Sequence, residues 1–140
     1  MQVVSFRAEH FWALDVQDAQ LSEKLHAKPA YLEALQYQYS FTILDGDEPL
    51  ACLGCVEIFP TRGAVWAYVS KRAGAKFRTV HKLAQRIIED VPHNRLETEV
   101  DYGFAQGHRW MQMLGFNVEA PRLRCARPDG SDATLYVKVK

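Results

Sequence analysis

The sequence predicts an α/β fold: one domain over residues 1–140, built on a central mixed β-sheet of about seven strands flanked by about four helices. Three observations predict it. Apolar patterns of period two and of period 3.6 alternate along the chain, marking strands interleaved with helices. A strongly amphipathic stretch from about Ala75 to Asp90 lies between two strand-like segments, as a crossover helix does. The length of 140 residues is that of one ordinary domain, and at that size a chain buries roughly 70% of its unfolded surface.

"VVSF" (Val3 to Phe6) reads as the first strand. "EHFWALDVQDAQLSEKL" reads as a helical stretch with Phe11, Leu14, Ala19 and Leu25 on its apolar side. Pro29 opens a second short helix, "AYLEALQYQ", with Leu32 and Leu35 turned inward. "YSFTILDGDEPLACLGCVEIFPTRGAVWAYVS" predicts three antiparallel strands with turns at Asp45-Gly46-Asp47 and Pro60-Thr61-Arg62-Gly63.

In the long helix Phe77, Val80, Ala84, Ile87 and Val91 recur every three or four residues, and Pro92 ends it. "RLETEV" alternates Leu96, Thr98 and Val100 against Glu97 and Glu99, as a half-buried strand does. A helix around Phe104 to Leu114 is stopped by Gly115, and two strands, about Asn117 to Arg127 and Thr134 to Val139, flank the turn "RPDGSD". "RLRCAR" (Arg122 to Arg127) reads as a charged strand face that discourages edge pairing.

With 17 basic and 17 acidic side chains the formal charge is zero, so net charge supports no general attraction to nucleic acid or anionic membrane. The longest apolar stretches fall far short of the ~20 residues of a membrane-spanning helix, and "MQVVSFRAEH" lacks a signal-peptide pattern, so a soluble, cytoplasmic protein is expected. Three cysteines, Cys52, Cys55 and Cys125, make no disulfide framework. Cys52 and Cys55 form a C-x-x-C within a strand, where positions three apart face opposite ways, so they read as buried thiols. His10, His26, His81 and His93 show no ligand-like spacing, and no metal is expected. Trp66, Tyr68, Trp110 and Phe116 are expected in the core or lining a groove.

The stretch "AYVSKRAGAKF" runs from a strand through cations and one glycine into the long helix. Cations at a helix N-terminus oppose its dipole by about 0.3 to 1 kcal/mol each when exposed, so Lys71, Arg72, Lys76 and Arg78 together are locally unfavourable without an anion. Two readings stand side by side: an anion site at the helix start, or its solvated face.

The order of elements, together with "RLETEVDYGFAQGHRWMQMLGF" and its closing Leu114-Gly115-Phe116, resembles the GNAT superfamily of acyl-CoA-dependent N-acetyltransferases. Within it, "AEHFWALDVQDAQ" and "HRWMQMLGF" are most similar to small GNAT-like proteins of bacteriophages, some of them internal virion proteins. The resemblance implies acetyl-CoA as cofactor, an amine acceptor, and a diphosphate loop of the form Arg/Gln-x-x-Gly-x-Gly/Ala. Here that loop is Lys71-Arg72-Ala73-Gly74-Ala75-Lys76, so Val69, Lys71, Arg72, Gly74, Ala75, Lys76 and Arg78 are the implied cofactor residues. Lys76 stands where the family has a small residue.

Acyl transfer to an amine also needs a base for the amine and an acid for the leaving thiolate. The family's Asn-x-x-Ala-x-x-Leu-Tyr falls on Phe104, Gly107, Trp110 and Met111, and Met111 has no proton to give. His108 and Tyr102 are the nearby substitutes. Glu97, Glu99 and Asp101 are candidate bases, on or just after the strand; Glu97 and Glu99 share one strand face, which flanks a polar cleft or meets solvent. The implied function is therefore an N-acyltransferase, or a catalytically degenerate phage protein that keeps the scaffold for contacts with virion proteins, located in the host cytoplasm or the virion.

Overall fold

A computed structural model describes all residues, Met1–Lys140. It contains seven strands, β1 (Gln2–Ser5), β2 (Tyr39–Asp45), β3 (Glu48–Phe59), β4 (Arg62–Val69), β5 (Arg95–Asp101), β6 (Asn117–Leu123) and β7 (Ala133–Val139). The helices are α1 (Ala8–Ala13), α2 (Leu21–His26), α3 (Pro29–Leu35), α4 (Phe77–Asp90) and α5 (Ala105–Met113), with 3₁₀ turns at Asp18–Gln20 and Gly74–Lys76. The strands form one mixed sheet in the order β1-β2-β3-β4-β5-β7-β6. β4 and β5 are parallel, with α4 as their crossover, and they pair only from Arg62↔Arg95 to Ala64↔Glu97. The β1–β2, β2–β3, β5–β7 and β6–β7 pairs are antiparallel.

Contacts divide the chain into two units, Met1–Val56 with Val65–Val91, and Glu57–Ala64 with Pro92–Lys140. In the first, Phe6, Phe11, Leu14, Val16, Leu32, Leu35 and Cys52 form one core, with Trp66 and Tyr68 packed against it. Phe6 meets the Trp66 ring edge-on at 5.3 Å, and Phe11 meets Tyr68 at 4.9 Å, the arrangement that ring quadrupoles favour. α4 buries Val80, Ala84, Ile87 and Ile88 on the face its periodicity predicts. Cys52 and Cys55 are both buried free thiols. Burial holds the Cys52 thiol neutral by pushing its pKa up to about 12.

The second unit packs α5 on β5. Gly107 makes the approach possible, since a Cβ there would lie 2.7 Å from both Phe104 Cδ2 and Val100 Cγ1. The end of α5 has paired C-terminal bonds, Gly115 N–H to Gln112 O and Phe116 N–H to Met111 O, both 3.0 Å. Gly115 at φ +83° supplies the left-handed residue this ending requires.

Three expectations need correction. The helix expected over residues 9–25 is broken into α1, the 3₁₀ turn and α2. Leu14 leaves the helix extended, and Leu14 and Val16 are both buried; Val16 pairs with Ser70 as an isolated antiparallel bridge. Burial at alternate residues is strand-like, and beside the bridge the Asp15 carbonyl accepts from Lys71 N–H (2.9 Å), a partner outside any helix. Leu25 therefore does not turn inward and is 73% exposed. Finally, β6 ends at Leu123, not Arg127: Cys125 sits at φ +52°, and its N–H donates to Asp132 Oδ1, turning the chain out of the sheet. β6 is nonetheless an edge strand, which lets it contain Pro121.

Candidate functional site

The implied cofactor residues lie together in the first unit, where β4 runs through a tight turn into α4. Ser70, buried at the turn, organises it: its carbonyl accepts from Ala73 N–H (3.1 Å) and its Oγ from Arg72 N–H (3.1 Å). Lys71 N–H donates to Asp15 O (2.9 Å) and Lys76 N–H to Ala73 O (2.7 Å). Gly74 takes φ +45°, a conformation that costs a side-chain-bearing residue about 1–2 kcal/mol. The amides of Gly74 and Ala75 have no acceptor within the chain and begin the helical run into α4. Two open amides at the start of a helix are suited to an anionic oxygen.

The loop cations are not bare. Lys71 Nζ lies 2.8 Å from Asp18 Oδ1, Arg72 pairs with Glu48, and Lys76 pairs with Asp45. The hydrogen bond from Lys76 holds the Asp45 carboxyl below its ordinary range, and the one that Lys71 donates to Asp18 raises the Lys71 pKa. The negative charge that such a cluster requires is thus supplied from within the chain. Arg78 is exposed on the first turn of α4 without an ion pair.

Val69 shows a further feature of the site. Its N–H donates to Gln20 Oε1 (3.2 Å), while Gln20 Nε2 donates to Ala67 O (2.7 Å) and Gln17 Nε2 to Ser70 O (3.2 Å). Residues two apart on a strand present their N–H and C=O to one edge. Ser70 N–H donates to Leu50 O of β3 (2.8 Å), so Val69 and Ala67 present theirs to the edge away from β3. These residues fit the parts of CoA: the open amides and Arg78 suit the diphosphate, and this strand edge suits the amides of the pantetheine arm.

The implied catalytic residues lie in the second unit, at the end of β5 and on α5. Asp101 Oδ1 accepts Gly103 N–H (3.1 Å) and its carbonyl accepts Phe104 N–H (3.0 Å), so Asp101 shapes the turn that starts α5. Glu99 is exposed. Tyr102 is exposed, with the Arg122 guanidinium 4.7 Å from its ring centre. Glu97 accepts from Arg62 Nη2 (2.7 Å) and from Arg95 Nε (3.1 Å); chiefly the Arg62 bond, then Arg95, holds its carboxyl below the ordinary range.

His108 uses both ring nitrogens. Nε2 lies 2.9 Å from the Tyr102 carbonyl, which can only accept, so Nε2 carries the proton. In the neutral ring Nδ1 is then the acceptor for the hydroxyl of Tyr136, 2.7 Å away. Tyr136 is 2% exposed, and burial raises its pKa. Met111, at the family's tyrosine position, is buried.

Sequence reasoning missed Gln20, Asp18, Asp45, Glu48 and Tyr136. The partners of Gln20 and Tyr136 are 49 and 28 residues away, and no local pattern encodes such pairs.

No protein-family model and no curated protein sequence matches the chain. Solved structures do match it. Ard1 from Thermoplasma volcanium superposes with a TM-score of 0.79 at 13% identity, covering 99% of this chain and 96% of that one. A GNAT-family acetyltransferase from Bacillus anthracis gives 0.72 at 13%, covering 98% and 93%. The ribosomal-protein-alanine N-acetyltransferase of Brucella melitensis gives 0.70 at 15%, over 100% of both chains. At these identities the likeness speaks to architecture, and in architecture this chain has the fold of the GNAT acetyltransferases.

Proposed function

We propose that the chain, taken as one functional domain over residues 1–140, is an acyl-CoA-dependent N-acyltransferase that moves the acetyl group of acetyl-CoA to an amine. The β4–turn–α4 connection carries this reading. Its glycine holds a left-handed turn, and two open amides lead into a 14-residue helix. Gly74, Ala75 and Arg78 would hold the diphosphate, with Lys71, Arg72 and Lys76 around it. The backbone of Ala67 and Val69 would hold the arm. Acetyl-CoA supplies a thioester carbonyl open to attack and a thiolate able to leave. Asp101 keeps Oδ2 for the amine proton, and Glu99 offers an exposed carboxylate. His108 and Tyr102 are the remaining proton-handling groups.

A second reading has observations of its own. Three loop cations are already paired, Met111 fills the tyrosine position, and both His108 nitrogens are engaged. In that reading the chain is a catalytically degenerate GNAT-like phage protein that keeps the scaffold for contacts with virion proteins, in the host cytoplasm or the virion.

Acetyl-CoA separates the two. A ligand that binds only the native state stabilises it by ~2.7 kcal/mol at a hundred times its Kd, so a thermal-shift titration should raise the Tm. No shift at millimolar CoA sinks the transferase reading. Lys71→Ala with Arg72→Ala should weaken CoA binding and leave the fold intact; unchanged affinity would place the ligand elsewhere.

A further inference from the structure

We infer that the segment carrying Asp18 and Gln20 is a strap that occupies the contacts a CoA-type ligand needs, so that these two side chains set the ligand's affinity. The inference rests on the cofactor reading above. The primary amide of Gln20 donates to Ala67 O (2.7 Å) and accepts from Val69 N–H (3.2 Å). A secondary amide in an extended ligand lying along this edge would make the same two bonds, so the two cannot be present together. Two residues earlier, Asp18 neutralises Lys71, the cation that opens the turn (2.8 Å). One short stretch therefore competes at the strand edge and at the anion end.

The same stretch is built to move. Leu14 and Val16 anchor it on one side and Leu32 and Leu35 on the other, all buried. From Gln17 through His26 no residue is buried, and α2 leaves Leu21 and Leu25 exposed. What holds it is polar: Gln17 to Ser70 O, Gln20 to β4, Asp18 to Lys71, Lys24 Nζ to the carbonyls of Leu14 (2.5 Å) and Trp12 (3.1 Å), and Tyr68 Oη donating to Glu23 (2.8 Å). Segments held by polar bonds without buried apolar area open at low free-energy cost. Asp18 is 90% exposed at its side chain, so its release meets no packing barrier.

The test compares the full chain with Gln20→Ala and, separately, Asp18→Asn, a surface change that leaves packing alone. CoA affinity is measured by calorimetry, and hydrogen exchange of residues 17–26 and 65–76 is followed with and without CoA. The strap predicts that Gln20→Ala binds CoA about five- to thirtyfold more tightly, the worth of one or two released neutral hydrogen bonds, and that Asp18→Asn also tightens binding. In the unaltered protein CoA should speed exchange in 17–26 while slowing it in 65–76. If all three bind equally, if the variants bind more weakly, or if CoA slows exchange in 17–26, the strap is wrong and the cofactor reading stands. If none of them binds CoA, both fall.

Discussion

Gly54 offers a sharp test of the packing. It lies opposite Ser40 in the β2–β3 ladder, and a Cβ built on it would overlap the Tyr39 carbonyl oxygen and lie 2.9 Å from Ser40 Cα and 3.1 Å from its Cβ. Two of these atoms are backbone and cannot swing aside as a side-chain tip would. Gly54→Ala must therefore push β2 from β3. Overpacking costs about 1–3 kcal/mol. Each strained ladder bond adds about 1 kcal/mol, and the entropy recovered by removing a glycine returns about 0.5–1 kcal/mol. The net expectation is a loss of about 2–4 kcal/mol. With a urea slope of ~1–3 kcal/mol/M, the midpoint should fall by roughly 1–2 M. Gly46→Ala is the control: its added Cβ meets nothing within 4 Å, and only the left-handed φ of +64° is penalised, at about 1–2 kcal/mol. A Gly54→Ala midpoint within ~0.3 M of the unaltered protein would refute the close approach, as would a Gly46→Ala loss exceeding it.

His108→Ala should lose about 1–3 kcal/mol by leaving the buried Tyr136 hydroxyl without its acceptor, and Tyr136→Phe should lose less; equal urea midpoints would deny the pairing. Glu97 is held below the unfolded carboxylate value, so its contribution is present above pH ~4.3 and is lost as pH falls through the folded value. Glu97→Gln should flatten the acid limb of a stability–pH curve below about pH 4.5, whereas a parallel shift at every pH would contradict this. In the folded protein one thiol, the exposed Cys125, should react rapidly with an aromatic disulfide. Cys52 and Cys55 should react only on unfolding, and three fast thiols would show the β3 thiols to be accessible.

The contrast between α4 and the residue 9–25 stretch shows what a local pattern can carry. In α4 every inward position is repeated at three or four, the stop is a proline, and the helix appears where expected, from Phe77 to Asp90. In residues 9–25 the apolar residues admit a helical face, but Leu14 and Val16 satisfy a strand-like alternation as well, and the bridge partner of Val16 is Ser70. The choice was made by a residue more than fifty positions away, so the local window could not make it.

The candidate site divides in the same way. The sequence by itself determined the α/β order, the glycine turn ahead of a long helix, the cations on that turn, and the absence of a tyrosine at Met111. Each of these is a property of neighbouring residues, and periodicity, glycine conformation and charge count are local quantities. Only the tertiary structure decided that Asp18, Glu48 and Asp45 answer the cations, that Gln20 lies along the edge of β4, and that His108 spends its nitrogens on Tyr136 and the Tyr102 carbonyl. Ion pairs and hydrogen bonds act over about 3 Å in space with no preference for nearness in sequence. Until the sheet had brought those strands and turns together, the cations of "AYVSKRAGAKF" had no visible partners.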